Sequence, residues 1–355
     1  MILNMSKKVF VGMSGGVDSS VTAALLQDRG YHVTGVYMKN WTQDLPGMAC
    51  PWMQDYQDAK RVAVHLGIDF KVYDFQLEYR QRVVDYMIEG YVQGITPNPD
   101  IMCNQEVKFK LFLDAALADG ADMIATGHYA RITADATGAQ LLTGLDPNKD
   151  QSYFLYRITA DALRHSLMPI GEYHKPAVRD LARKYGLSTA EKKDSQGICF
   201  VGKVGIKDFL LHELGPQPMG PIVDQDGVTV GQHDGAVFYT IGQRHGLQVG
   251  GGLPFYVVGK DMPNNTVYVT TDLQDQRLWR RSLTLTATHW INGEPDVGKQ
   301  YQVRVRYRAP LVRCGIVYAN GTSVLTLDGD VRAVTPGQSA VLYDGDVCLG
   351  GGVVV

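Results

Sequence analysis

The chain has 355 residues, of which 45% are hydrophobic and 20% charged, with a formal net charge of -3. Its length exceeds what one hydrophobic core normally supports, so more than one domain is expected, and the composition excludes extended disorder. No apolar run nears the ~20 residues of a membrane span, and the opening MILNMSKKVF has neither a signal-peptide core nor an Arg-rich transit pattern; a cytoplasmic protein with no membrane partner is expected.

In chain order, residues 8–13 (KVFVGM) read as a buried strand. Residues 17–29 read as a helix with Val21, Ala24 and Leu25 inward and Gly30 as its stop. A strand over 31–38, a helix over 55–66, a strand over 69–75, a helix near 77–91 and a strand over 123–126 follow. Strands alternating with helices predict a doubly wound parallel sheet, assigned to residues 1–205. Gly and Pro become frequent beyond it, between short β-type runs (AVFYTIG, PFYVVGK, TVYVTT), which predicts a small, mainly β central domain over 206–276. Evenly spaced strands in SLTLTATHWI, YQVRVRYR, CGIVYA, SVLTL and QSAVLY predict a C-terminal β-barrel over 277–355.

The first chemical motif is Gly12-Met13-Ser14-Gly15-Gly16-Val17-Asp18-Ser19-Ser20. Glycines between a buried strand and a helix let backbone N–H groups and the helix dipole hold a phosphate. Ser14, Ser19 and Ser20 add hydroxyl donors, and Asp18 suits a Mg2+ ion bound through the phosphates. No Lys follows the glycines, so the loop is not a Walker A motif, and transfer of a γ-phosphate is disfavoured.

The second motif runs from Asn98-Pro99-Asp100 to Cys103 and precedes a helical pattern. Two prolines argue for an exposed loop, with Cys103 near a helix N-terminus where the dipole favours a thiolate. The effect is large: at a pKa of ~8.5 about 3% of a thiol is ionised at pH 7, against roughly 75% at ~6.5. Asp100 is a candidate general acid or base. The third motif, Lys192 to Phe200, places two lysines upstream of Cys199; alone it reads equally as reactive or structural. The five cysteines form no C-x-x-C pair and none has zinc-ligand spacing, so neither zinc nor an iron–sulfur cluster is expected.

Charge is uneven. From Arg277 to Arg313 eight Lys or Arg accompany two acidic residues. Strand alternation in 301–308 would align Arg304, Arg306 and Arg308 on one face, about 6.6 Å apart, as a row for backbone phosphates of a polyanion.

The run SGGVDSS resembles the signature of the PP-loop ATP pyrophosphatases, which implies an adenine-nucleotide α-hydrolase-like fold and cleavage of ATP to AMP and pyrophosphate. GMSGGVDSS, NPDIMC, GHYAR (127–131), KDQSYFL (149–155) and DSQGICF also occur in the order found in the tRNA-specific 2-thiouridylases, the bacterial MnmA family. This resemblance spans essentially the whole chain. It implies ATP contacts at Gly12, Met13, Ser14, Gly15, Gly16, Val17, Asp18 and Ser19, with Met38 and Gly127 near adenine and ribose. It implies a persulfide on Cys199, Cys103 as the second thiol, and a transient Cys103–Cys199 disulfide. Contacts with tRNA are implied at Asn98, Pro99 and Asp100, at His128, at Lys149, Asp150 and Gln151, at Arg306 and Tyr307, and at Gln338. The sulfur donor would be a persulfide-carrying relay protein or a cysteine desulfurase. Two other functions stay open: an adenylating, amide-forming synthetase, and an ATP-regulated RNA-binding protein without chemistry.

Overall fold

The computed structural model describes residues 7–44, 50–135, 138–194, 205–247, 249–250, 252–319 and 321–355. The first unit alternates β1 (Lys8–Gly12), α1 (Val17–Asp28), β2 (His32–Lys39), α2 (Trp52–Leu66) and β3 (Asp69–Asp74). Helical stretches over 76–92 and 99–118 lead to β4 (Met123–Ala125), a hairpin of β5 (Ala130–Ala134) and β6 (Ala139–Thr143), and β7 (Ser166–Leu167). The sheet is parallel in the order β3-β2-β1-β4-β7.

Alternation in β1 explains the layering. Val9 and Val11 face α1 and α2, in one core with Val21, Ala59 and Val62. Phe10 faces the opposite layer, with Tyr79, Val83 and Phe112. A strand covered on both faces is apolar throughout, as KVFVG nearly is. Because β2 lies on one side of β1 and β4 on the other, a crevice opens between the C-terminal ends of β1 and β4, the place where open α/β sheets bind ligands.

The central unit has a helix (Ile206–Leu214) and a sheet of β8 (Gly220–Val223), β9 (Thr229–His233), β10 (Tyr256–Asp261) and β11 (Thr266–Thr270), in the order β10-β11-β8-β9. The expected strand in AVFYTIG is not formed. Gly235 (φ 130) and Gly242 (φ 83) turn the backbone at both ends, and Ala236–Phe238 is instead a buried 3-10 turn.

The barrel comprises β12 (Trp279–Trp290), β13 (Tyr301–Arg304), β14 (Val312–Ala319), β15 (Thr322–Arg332), β16 (Ser339–Asp344) and β17 (Val347–Val354). It runs β12-β15-β14-β13-β16-β17 and closes by β12 pairing with β17. Its interior holds Leu283, Leu285, Val303, Ile316, Leu325 and Leu342. Strand β17 lies beyond the runs read as strands in the sequence and carries glycines 350–352, where a Cβ on Gly351 would strike the backbone of Ala340. Hairpin β5–β6 pairs with β17, so the first unit adds two strands to the barrel sheet. No helix among the described residues is long and apolar enough to cross a membrane.

Candidate active site

The Gly-rich loop follows β1, and Gly16 caps α1 without a side-chain hydrogen bond, so the first-turn N–H groups are left to a ligand. Gly15 (φ +73) lies directly against the backbone of Asp55 at the start of α2, where no side chain fits. Ser14 is exposed at the mouth, and its hydroxyl lies 3.3 Å from that of Ser19. Met13 and Val17 are buried at 1% and 3% exposure, so only their backbone can face a nucleotide. Met38 reaches over Gly12, its Cε 2.9 Å from where a Cβ would stand. Gly127 closes the crevice from β4: a Cβ there would lie 2.7 Å from the Ser19 backbone nitrogen.

Asp18 departs from expectation. Both its oxygens accept from Lys175 Nζ, at 2.7 and 2.9 Å, and Oδ1 also accepts from the Tyr129 hydroxyl at 2.7 Å. The carboxylate read as a magnesium ligand is therefore already paired, and no cluster of three or more His, Cys, Asp or Glu suited to a metal occurs among the described residues. One hard carboxylate oxygen still fits an ion that keeps most of its waters and comes bound to phosphates.

Lys175 continues to Asp194, whose Oδ1 lies 2.9 Å away. Asp194 also accepts from Lys149 at 2.6 Å and Arg179 at 2.8 Å. Burial works to raise the Asp194 carboxyl, but the hydrogen bonds from Lys149 and Lys175 outweigh it and bring it down to about 2. Two residues earlier, Lys192 bonds Asp55 and Asp58 of α2, each at 2.8 Å. Residues 192–194 are thus anchored at two points beside the Gly-rich loop. Cys199 lies outside the described residues.

Asn98 caps the next helical stretch, accepting from the N–H groups of Asp100 and Ile101. Cys103 is not on an exposed loop, which corrects the sequence reading. The chain turns helical at Pro99, placing Cys103 one turn in, at 3% exposure, where a π-type helix over Cys103–Leu111 begins. Burial raises its thiol, Lys108 pulls it down, and Asp100 raises it further; the net shift is upward. The thiolate is disfavoured in this conformation.

Lys108 Nζ lies 3.4 Å from His128 Nε2, and Thr126 Oγ1 lies 2.8 Å from His128 Nδ1. His128 is buried at 8% exposure; burial, with Lys108 beside it, holds its pKa well below the ordinary value, so the ring is neutral.

The RNA-facing candidates divide. Gln338 Nε2 donates to the Thr96 carbonyl at 2.7 Å, fastening the barrel next to Asn98. Tyr307 packs on Phe154 at 4.5 Å between ring centroids, and Asn104 donates to the Phe154 carbonyl at 3.0 Å, which joins Tyr307 to the Cys103 helix. Gln151 Oε1 accepts from the Tyr129 N–H. The Asp150 side chain faces inward, a correction to its place among RNA contacts: at 3% exposure it accepts from the N–H groups of Gly144 and Ser152, the Ser152 hydroxyl and Arg304.

The expected arginine row is likewise not formed. β13 ends at Arg304, and Arg308 takes a left-handed φ of 61° two residues before Pro310. Arg304 turns to Asp150, Arg306 donates to the Ala333 carbonyl, and Arg308 lies over the Tyr307 ring at 5.1 Å. Of the eight cations, Arg277, Arg281, Lys299 and Arg304 are ion-paired with Asp275, Asp330, Asp344 and Asp150. Arg280, Arg306, Arg308 and Arg313 are exposed and make no ion pair with a described residue. They are the positive surface that remains.

Sequence reasoning missed Lys175, Tyr129 as an Asp18 partner, and Lys108. Lys175 is 157 positions from Asp18, beyond any motif spacing.

A Gly-rich anion cradle at a sheet switch point, joined to a small β unit and a closed barrel, defines a nucleotide-binding α/β protein with appended β domains. Family profiles agree segment by segment: a "tRNA methyl transferase HUP domain" over 7–203, a "tRNA methyl transferase PRC-barrel domain" over 207–271 and an "Aminomethyltransferase beta-barrel domain" over 280–354. The chain is 44% identical to tRNA-specific 2-thiouridylase MnmA 2 of Aliarcobacter butzleri, over 99% of both chains. It is 48% identical to tRNA-specific 2-thiouridylase MnmA of Salmonella typhimurium, over 98% of this chain and 96% of that protein. The chain belongs to the MnmA family of tRNA-specific 2-thiouridylases. Among solved structures, NMN synthetase from Francisella tularensis is similar over 53% of this chain and 66% of its own, with a TM-score of 0.35 and 18% identity.

Proposed function

We infer that the chain is an ATP-dependent tRNA-uridine 2-sulfurtransferase, which adenylates the C2 oxygen of a wobble uridine and replaces it with sulfur. The observation that carries this is the attachment of residues 192–194 beside the Gly-rich loop, through Lys192 to Asp55 and Asp58 and through Asp194 to Lys175 and Asp18. Cys199 follows Asp194 by five residues, and five extended residues span at most ~18 Å. A sulfur carried there stays within reach of the nucleotide.

The chemistry requires both parts. The C2 oxygen of uracil leaves poorly; attack of that oxygen on the α-phosphorus of ATP expels pyrophosphate and makes AMP the leaving group. The terminal sulfur of a Cys199 persulfide then adds at C2, and AMP departs with the oxygen. Cys103 supplies the second thiol, ending in a Cys103–Cys199 disulfide that a reductant must reopen. Magnesium, held by Asp18 through the phosphates, would offset their charge. The neutral His128, the half-buried Asn98 turn and the four arginines that make no ion pair with a described residue would receive the anticodon loop, with the target uridine flipped out of its stack. Segments 1–205, 206–276 and 277–355 would then supply catalysis, support and RNA grip. A sulfur-relay protein or cysteine desulfurase in the cytoplasm would load Cys199.

The profile descriptions speak of methyl transfer, whereas the named relatives are thiouridylases. Two cysteine motifs in a chain with an ATP-type loop favour thiolation. Incubating unmodified tRNA with ATP, a cysteine desulfurase with cysteine as persulfide source and a thiol reductant, then digesting it for nucleoside analysis, should yield 2-thiouridine with AMP and pyrophosphate formed only when tRNA is present. Nucleotide cleavage without tRNA, or amide formation with ammonia, would point to the synthetase instead; no cleavage would leave an RNA-binding protein.

A further inference from the structure

Lys175 is nearly buried and belongs to none of the motifs. It opens the helix Lys175–Lys184; its backbone N–H is fixed on Asp146 Oδ2 at 3.0 Å, and Pro176 sets the first turn. Its side chain, 11% exposed, spends all its hydrogen-bonding capacity on two carboxylates, Asp18 and Asp194. Burying a lysine this deeply is costly unless its charge is used.

The carboxylates are unequally dependent on it. Without Lys175, Asp194 keeps Lys149 and Arg179, and Asp18 keeps the Tyr129 hydroxyl. Lys175 can thus depart without leaving either carboxylate bare, and of the three cations on this pair it is the one that reaches Asp18 in the loop. Three cations, Lys149, Lys175 and Arg179, share the carboxylates of Asp18 and Asp194, with Asp146 held on the Lys175 backbone N–H. The cluster stands at the first turn of α1, where an anion is favoured and where the loop contributes no lysine of its own.

We propose that Lys175 is the phosphate-binding lysine of this site, parked on Asp18 and Asp194 until a nucleotide triphosphate arrives and then donating to its phosphate oxygens. The proposal rests on the reading that ATP occupies the Gly-rich loop. Asp18 would be freed in the same step for the magnesium that accompanies the phosphates. The loop then has a P-loop lysine supplied from a distant helix.

The test is calorimetric binding of magnesium ATP and of adenosine, which has no phosphates, to the full chain carrying K175M. ATP binding should weaken about 10- to 100-fold, the worth of a charge-assisted hydrogen bond, while adenosine binding is unchanged. Unchanged ATP affinity, or equal losses for ATP and adenosine, overturns the proposal. D194N removes a competitor for the ammonium and should tighten ATP without affecting adenosine; this variant decides the matter if K175M does not fold, and unchanged or weaker ATP binding by D194N overturns the proposal. A wild-type chain that binds adenosine but not ATP overturns it as well. A wild-type chain that binds neither removes the nucleotide site itself, and the proposed function with it.

Discussion

Asp150 Oδ2 and Arg304 Nη1 meet at 3.0 Å with both side chains largely buried, at 3% and 14% exposure, joining the first unit to the barrel. The carboxylate also holds two backbone N–H groups and a hydroxyl, and the guanidinium lies over the Tyr343 ring at 5.6 Å. Removing one partner leaves the other charged and buried. Asp150→Ala should cost about 3–5 kcal/mol, read as a lower urea midpoint, and replacing Arg304 by Met in the same chain should recover part of it. An Asp150→Ala variant as stable as the wild type would mean the pair is not closed in solution.

The same pair shows what the sequence could convey. Alternation sets Tyr301, Val303, Val305 and Tyr307 on one face; the first three lie in the barrel core, whereas Tyr307, beyond the end of β13, packs on Phe154 instead. The opposite face read as a phosphate-binding row because strand geometry was extended past Arg304, where the backbone turns. Nothing local announces that Arg304 has a carboxylate 154 positions away. The Gly-rich loop was legible because its function depends on consecutive backbone, whereas the Lys175–Asp18 pair and the β5–β6 extension of the barrel depend on tertiary approach. Cys103 was misplaced for another reason: prolines that suggest a loop also suit the first turn of a helix, and Pro99 stands at that position after an Asn cap.

Gly127 tests the crevice. A Cβ there meets the backbone of Asp18 and Ser19 at under 3 Å, and neither can yield without shifting the start of α1. Because a displacement of about 1 Å in a reacting geometry can cost on the order of 100-fold, Gly127→Ala should lose most tRNA-dependent AMP formation while far-ultraviolet circular dichroism stays native. Full AMP formation would place the nucleotide away from this contact.

Cys103→Ser and Cys199→Ser should each abolish 2-thiouridine formation yet leave ATP binding intact, since neither residue lies in the Gly-rich loop. Nucleoside mass analysis of the tRNA product and calorimetry on the same preparations check both halves. Full thiolation by either variant would remove the two-cysteine mechanism.

Burial gives Cys103 a pH signature. Its thiol is raised, so its thiolate forms at higher pH than that of an exposed cysteine at ~8.5. In the free protein, iodoacetamide should modify Cys103 more slowly than a cysteine peptide, with the pH profile displaced upward, and ATP with tRNA should accelerate it if the helix over 99–102 opens on binding. Peptide mapping measures both rates. Rapid labelling at pH 7 in the free protein would show that the buried conformation is not the resting one.

Asp194 gives a pH dependence of the opposite kind. Its carboxyl is brought down to about 2 by the hydrogen bonds of Lys149 and Lys175, which outweigh burial, against ~3.9 in an unfolded chain. The folded state therefore holds its proton more weakly than the unfolded state, and the resulting stability is complete above ~3.9 and disappears as pH falls towards 2. Asp194→Asn removes this term, so at pH 7 the variant should melt below the wild type, and the two melting temperatures should converge between pH 4 and pH 2. The side chain is 28% exposed, so solvent screening keeps the effect modest, and salt should shrink the gap at pH 7. Parallel melting curves across this range would show that the Lys149–Asp194–Lys175 cluster does not hold residue 194 against the nucleotide loop, and the tether between that loop and the chain leading to Cys199 would be lost with it.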